Sequence, residues 1–194
     1  MSENKKNFYV GIISSGIIFF MGVLYLTIPA YYGINNMVNI DTNNLLISMM
    51  LVYSLVKFTD YILLGNNPTK EAVLMSIVAS TTGISNVLLS FVVSDSLALA
   101  LSLIIFVLFS CGVNIFSIDY YHDRKDAYYY VETMTTIILF IVGIVLSFNL
   151  FNDSVVQTMG MGYLFIVVSI LEAVDVAMKC MLKSKRFLRK VKLK

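Results

Sequence analysis

The chain has 194 residues, 58% of them hydrophobic and 13% charged, with a formal net charge of +2 and a mean hydropathy of +0.82. Soluble domains carry about 25% charged residues, so this balance excludes an ordinary soluble fold. Uncharged stretches at 7–40, 72–94, 96–118, 133–152 and 154–171 include several that reach the roughly 18–20 residues needed to cross ~30 Å of hydrocarbon, and the expected fold is an all-α integral membrane protein.

Six spans are expected, at 8–28, 44–64, 72–93, 96–118, 132–151 and 155–178. The first is too long for the 7–15-residue apolar core of a signal peptide, and "LTIPAYY" is a poor small-residue cleavage site, so it reads as an uncleaved helix. The loop "PAYYGINNMVNIDTNN" is rich in turn formers, and its "DTNN" can cap the start of the second span. The second span carries Lys57 and Asp60. In the third, "ASTTGIS" offers Ala79 and Gly83 as a small-xxx-small pair that permits close helix approach, as Gly11 and Ser15 do in the first. The short turns "VVSDSLA" and "FNDSVV" each place Asp-Ser where it can cap the helix that follows.

Between the fourth and fifth spans lies "DYYHDRKDAYYY" (119–130), which holds His122, the single histidine, beside Asp119, Asp123 and Asp126. One imidazole in a short loop makes a weak metal site, and the flanking tyrosines read as an interfacial aromatic belt. Gly160 and Gly162 leave room near the outer mouth of the sixth span. The tail 179–194 has no acid, and on a helix Met181, Ser184, Phe187, Leu188 and Val191 share one face. Lys183, Lys185, Arg186, Arg189 and Lys190 are the candidate contacts of this surface helix with anionic lipid. A tail tethered to the bilayer meets lipid before nucleic acid.

All fourteen Lys and Arg residues fall on one side of such a six-span arrangement, which places both termini in the cytoplasm. The connections group the spans into three tandem helical hairpins, 8–64, 72–118 and 132–178, that together form one membrane domain. Cys111 and Cys180 are too few for a disulfide or metal framework. No Walker, GxSxG, HExxH or Rossmann pattern is present, so no catalytic residue, cofactor or metal is expected. A homo-oligomer is compatible with the sequence.

The pattern "GVLYLTIPAYYG…LLISMMLVYSLVKFTDYIL", echoed by "GIVLSFNLFNDSVVQTMGMGYLFIVVSILEAVDVAM", resembles the short-repeat HdeD-type family of small bacterial membrane proteins. That resemblance implies six spans in repeated Gly-rich hairpins, a location in the cytoplasmic membrane, a link to acid or envelope stress, and no established enzymatic chemistry.

Charges within hydrocarbon cost at least ~2.5–3.5 kcal/mol near its centre. Glu172 and Lys57 lie at one depth, about 9–10 Å from the same helix ends at 1.5 Å per residue, with opposite signs. Asp60 and Asp175 each sit three residues on, which puts Lys57 with Asp60, and Glu172 with Asp175, on single helix faces. Two readings follow. In the structural one, Lys57 pairs with Glu172 between the second and sixth spans, and Asp175 pairs with Lys179. In the other, Glu172 and Asp175 form a relay in a small transporter or proton-coupled carrier together with Lys57. The first reading, with the absence of catalytic motifs, predicts a non-enzymatic membrane protein of envelope or stress physiology that acts through its bundle or partners.

Overall fold

The computed structural model describes residues 3–34, 41–64, 70–123, 128–147 and 154–192. They form six α-helices, α1 (Glu3–Ile34), α2 (Thr42–Leu64), α3 (Glu71–Ser90), α4 (Asp95–Asp123), α5 (Tyr128–Ser147) and α6 (Ser154–Lys192), with no strand among the described residues. Each contains a stretch long and apolar enough to cross a membrane: Phe8–Ile28, Thr42–Leu63, Glu71–Ser90, Asp95–Asp119, Tyr129–Leu146 and Val155–Met178.

The ends of the helices follow local chemistry. Asp41 caps α2, its carboxylate accepting from the backbone N–H of Asn44 at 3.0 Å. The third helix stops at Ser90 rather than near 93, because the N–H groups of Val92 and Val93 both turn back to the Leu89 carbonyl at 2.9 Å. At the other end of α3, Lys70 takes a left-handed conformation, φ 49°, uncommon for a residue with a Cβ, and turns the chain directly into Glu71. The first helix runs through Pro29 to Ile34, past the expected end of its span. The sixth continues without a break to Lys192, so the basic segment prolongs the span rather than forming a separate element. Side chains beyond residue 181 lie outside the described ones, as do those at 120–128 that include His122.

The helices close into a ring: each packs on its neighbour in sequence, α1 meets α6, and α2 leans inward to touch α4 and α6 as well. The most extensive packing joins α1 to α6, α2 to α3 and α4 to α5, so it cuts across the hairpin grouping expected from chain order. Small residues explain this. A Cβ placed on Gly22 would come within 2.9 Å of the Gly162 carbonyl oxygen, and one on Gly143 would meet Val107 at 2.5 Å. In a bilayer, close backbone approach of this kind supplies the packing that a hydrophobic drive cannot. Because Gly11 meets Val176 while Gly22 meets Gly162, α1 and α6 run antiparallel. The start of α1 and the lysine-rich end of α6 therefore share one end of the bundle, called here the basic end.

Buried Ile18, Leu46, Met49, Met50, Tyr53, Phe106, Val107, Met161, Leu164 and Phe165 fill the centre. Large apolar side chains such as Phe20, Leu55, Ile62, Phe116 and Val145 point outward and are exposed. On a water-facing surface that much apolar area would drive association; facing lipid, it is at home.

Gly22→Leu forces side-chain carbons into the backbone of α6 and is expected to destabilise the protein by about 1–3 kcal/mol. Gly16→Ala, at a position with open space around it, is expected to leave stability near that of the parent. Thermal unfolding in detergent checks both, and equal losses would mean that the α1–α6 contact does not set stability.

Candidate functional site

On α2, Tyr53, Lys57 and Asp60 recur at spacings of four and three, which puts them on one face. That face turns into the bundle: Tyr53 and Asp60 are buried and the Lys57 side chain is 12% exposed. Across from it, α6 presents Glu172, 17% exposed. The Lys57 Nζ lies 2.8 Å from Glu172 Oε2 and 4.0 Å from Asp60 Oδ2. Hydroxyl groups occupy the remaining oxygen of one acid and the lysine-facing oxygen of the other. The Tyr53 hydroxyl donates to Glu172 Oε1 at 2.8 Å, and Ser14 of α1 donates to Asp60 Oδ2 at 2.6 Å. The Nζ also sits 5.6 Å from the centre of the Tyr53 ring, within cation–π range. One ammonium is thus shared by two carboxylates in a network that joins α1, α2 and α6.

A second acidic group lies at the same end. Glu71 at the start of α3, the buried Glu132 of α5 and Asp175 of α6 bring carboxylate oxygens within 4.8 Å of one another, and Ser117 of α4 donates to Glu71 at 3.4 Å. Hard cations take oxygen ligands of this type, so among the described residues these are the ones that could hold one. The structure thus sets Asp175 beside Glu71 and Glu132; the Lys179 side chain expected as its partner lies outside the described ones. The side chains of Lys183, Lys185, Arg186, Arg189 and Lys190 also lie outside them.

Above the ion pair, toward the opposite end, three rings close the centre. Tyr53 stands edge-on to Phe106 and to Phe165, with centroids 5.7 and 5.8 Å away, and the two phenylalanines stack at 5.8 Å. Such pairs add about 0.5–1.5 kcal/mol each beyond their buried area. Met49, Met50, Leu46, Met161 and Leu164, all fully buried, thicken this layer. Polar contacts reappear beyond it: Thr42 of α2 with Gln157 of α6 at 3.3 Å, and Ser102 of α4 with Asn86 of α3 at 3.2 Å. The molecule's interior is therefore charged toward its basic end, apolar and aromatic across its middle, and polar without buried charge toward the other end, where Asp41 and Asp95 stand at the helix starts.

Sequence reasoning singled out Lys57, Asp60, Glu172 and Asp175 and passed over Glu71, Glu132, Tyr53, Ser14 and Ser117. Glu71 and Glu132 sit at helix starts, where an acid ordinarily serves the helix dipole. Their place at the same end of the six-span arrangement as Lys57 was the available signal. Tyr53 reads as core until its hydroxyl is seen to reach another helix.

Comparison with protein-family models, with curated proteins and with solved structures gives no match. The class that the fold and the site define is a six-helix bundle suited to a membrane, with an internal charge network at one end.

Removing Lys57 leaves two carboxylates without their ammonium, whereas removing Glu172 leaves Lys57 with Asp60 close by. Lys57→Met is therefore expected to destabilise by about 3–5 kcal/mol, Glu172→Gln by less, and the double variant by less than the sum. Thermal unfolding of the four proteins in detergent measures the coupling, and additive effects would show that the pair contributes none.

Proposed function

We propose that the chain is a multi-pass protein of the cytoplasmic membrane, with both termini in the cytoplasm, that acts as a small proton-coupled carrier rather than an enzyme. The observation behind this reading is the single ammonium held between two carboxylates at 2.8 and 4.0 Å. When Glu172 takes up a proton, Lys57 can turn to Asp60 without losing an acidic partner. The network then has two arrangements that differ in where one proton sits, and Glu172, on α6, is bonded in one and released in the other. A coupled carrier needs such a two-state element. Asp175, with Glu71 and Glu132, lies between this element and the basic end, where protons or cations from the cytoplasm would arrive. The basic continuation of α6, including Lys183, Lys185, Arg186, Arg189 and Lys190, supplies contacts with anionic headgroups worth about 1 kcal/mol per residue.

A second reading is favoured by the hydroxyls of Tyr53 and Ser14, which also bond Glu172 and Asp60. A static tie between helices would be satisfied in the same manner. The protein would then be a non-enzymatic bundle of the envelope or stress type suggested by the HdeD-like resemblance, acting through partners.

Proteoliposomes loaded with a pH-sensitive dye separate the two. The carrier reading predicts that the purified protein collapses an imposed pH gradient faster than protein-free vesicles do, and that Glu172→Gln returns the rate to the protein-free level. Gradient decay in the parent protein no faster than in empty vesicles would leave the static tie.

A further inference from the structure

Two polar atoms in the centre of the molecule have no hydrogen-bond partner among the described residues: Asn86 Nδ2 on α3 and Ser110 Oγ on α4, both in residues that are 0% exposed. Buried polar atoms are ordinarily paired with protein or with water, so each such exception calls for a reason. Their placement supplies one. On α4, Ser102, Phe106, Ser110, Asn114 and Ser117 recur every three or four residues and are all buried, so they form one inward stripe. Ser117, at the basic end of the stripe, bonds Glu71, and Ser102, at its other end, bonds Asn86. The single apolar member is Phe106, which packs on Tyr53 and Phe165. Ser110 lies one helical turn to the basic side of Phe106, and the Asn86–Ser102 pair lies one turn to the other side.

We propose that this stripe lines a water path through the bundle and that the ring triad Tyr53–Phe106–Phe165 is its hydrophobic gate, with water as the partner that satisfies Ser110 on one side and Asn86 on the other when the gate opens. The inference rests on the carrier reading above and deepens it, because it gives the proton a route through the outer half, where the buried described residues include no carboxylate, lysine, arginine or histidine. Tyr53 joins the two parts. Its ring is one wall of the gate and its hydroxyl is held by Glu172 at 2.8 Å, so a Glu172 that changes partner also frees one ring of the triad. A path of this kind suits protons moving along water; its polar groups stand singly about one helical turn apart on α4, too few at any one level to replace the hydration shell of a metal cation.

Thiol labelling tests the path without relying on flux. The two cysteines, Cys111 and Cys180, are first replaced by Ala and Ser. Ser110→Cys, Asn86→Cys and, as a dry control on the α5-facing side of α4, Val107→Cys are then introduced singly in liposomes. A thiol reacts with a membrane-impermeant reagent only where water reaches it as thiolate, so Ser110→Cys and Asn86→Cys should label at least about tenfold faster than Val107→Cys. Adding Phe106→Ala should accelerate both further, while Phe106→Leu, which keeps the seal apolar, should not. Equal labelling at positions 110, 86 and 107 would overturn the proposal. That comparison needs no change at Phe106, so it decides even where Phe106→Ala does not fold. Proton flux without preferential labelling would reject the path and keep the carrier reading. Preferential labelling without flux would keep the water path and reject the carrier.

Discussion

A lysine and a glutamate 2.8 Å apart on facing helices set the terms for the basic end of this protein. Neither charge can be taken out of water alone at acceptable cost, so α2 and α6 must present them at the same depth and face. Once they do, Tyr53 is placed to bond Glu172, and Asp60, one turn below Lys57, is placed to reach Ser14 of α1. Three helices are registered against one another by one polar constraint. Apolar packing specifies register less sharply, because most large side chains here face lipid and gain nothing from one rotation over another.

The same constraint fixes what lies above it. Tyr53 cannot bond Glu172 without pushing its ring into the centre of the bundle, and there it meets Phe106 and Phe165 edge-on. The charge network and the aromatic layer are therefore not separate features stacked by chance. They share a residue, Tyr53, whose hydroxyl belongs to the one and whose ring belongs to the other. Close backbone contacts between α1 and α6 at Gly22 and Gly162 hold the wall of the bundle firm around this centre.

Much of this was legible in the sequence, for physical reasons. Hydropathy and length mark the spans because hydrocarbon admits little else, and the described helices contain apolar windows within a few residues of the expected ones. Equal depth and opposite sign at Lys57 and Glu172 are visible by counting residues. Other features were not legible. Glu71 and Glu132 look like ordinary helix-start acids, and only the ring arrangement of the helices brings them to Asp175. The strength of the α1–α6 contact is hidden because glycines, not chain order, decide which backbones can approach. Asn86 follows the small polar run "ASTTGIS" and Ser110 sits among apolar letters, and the absence of a partner for Asn86 Nδ2 and Ser110 Oγ among the described residues is a property of the packed structure alone.

The central claim is that the Lys57–Glu172–Asp60 group exchanges a proton within the bundle. Infrared difference spectroscopy of the protein in bilayers, stepped between neutral and acidic pH, tests this most directly. The account predicts a protonated-carboxyl band that grows as the pH falls and is diminished in both Glu172→Gln and Asp60→Asn. Difference spectra of the two variants that superimpose on that of the parent protein would contradict it.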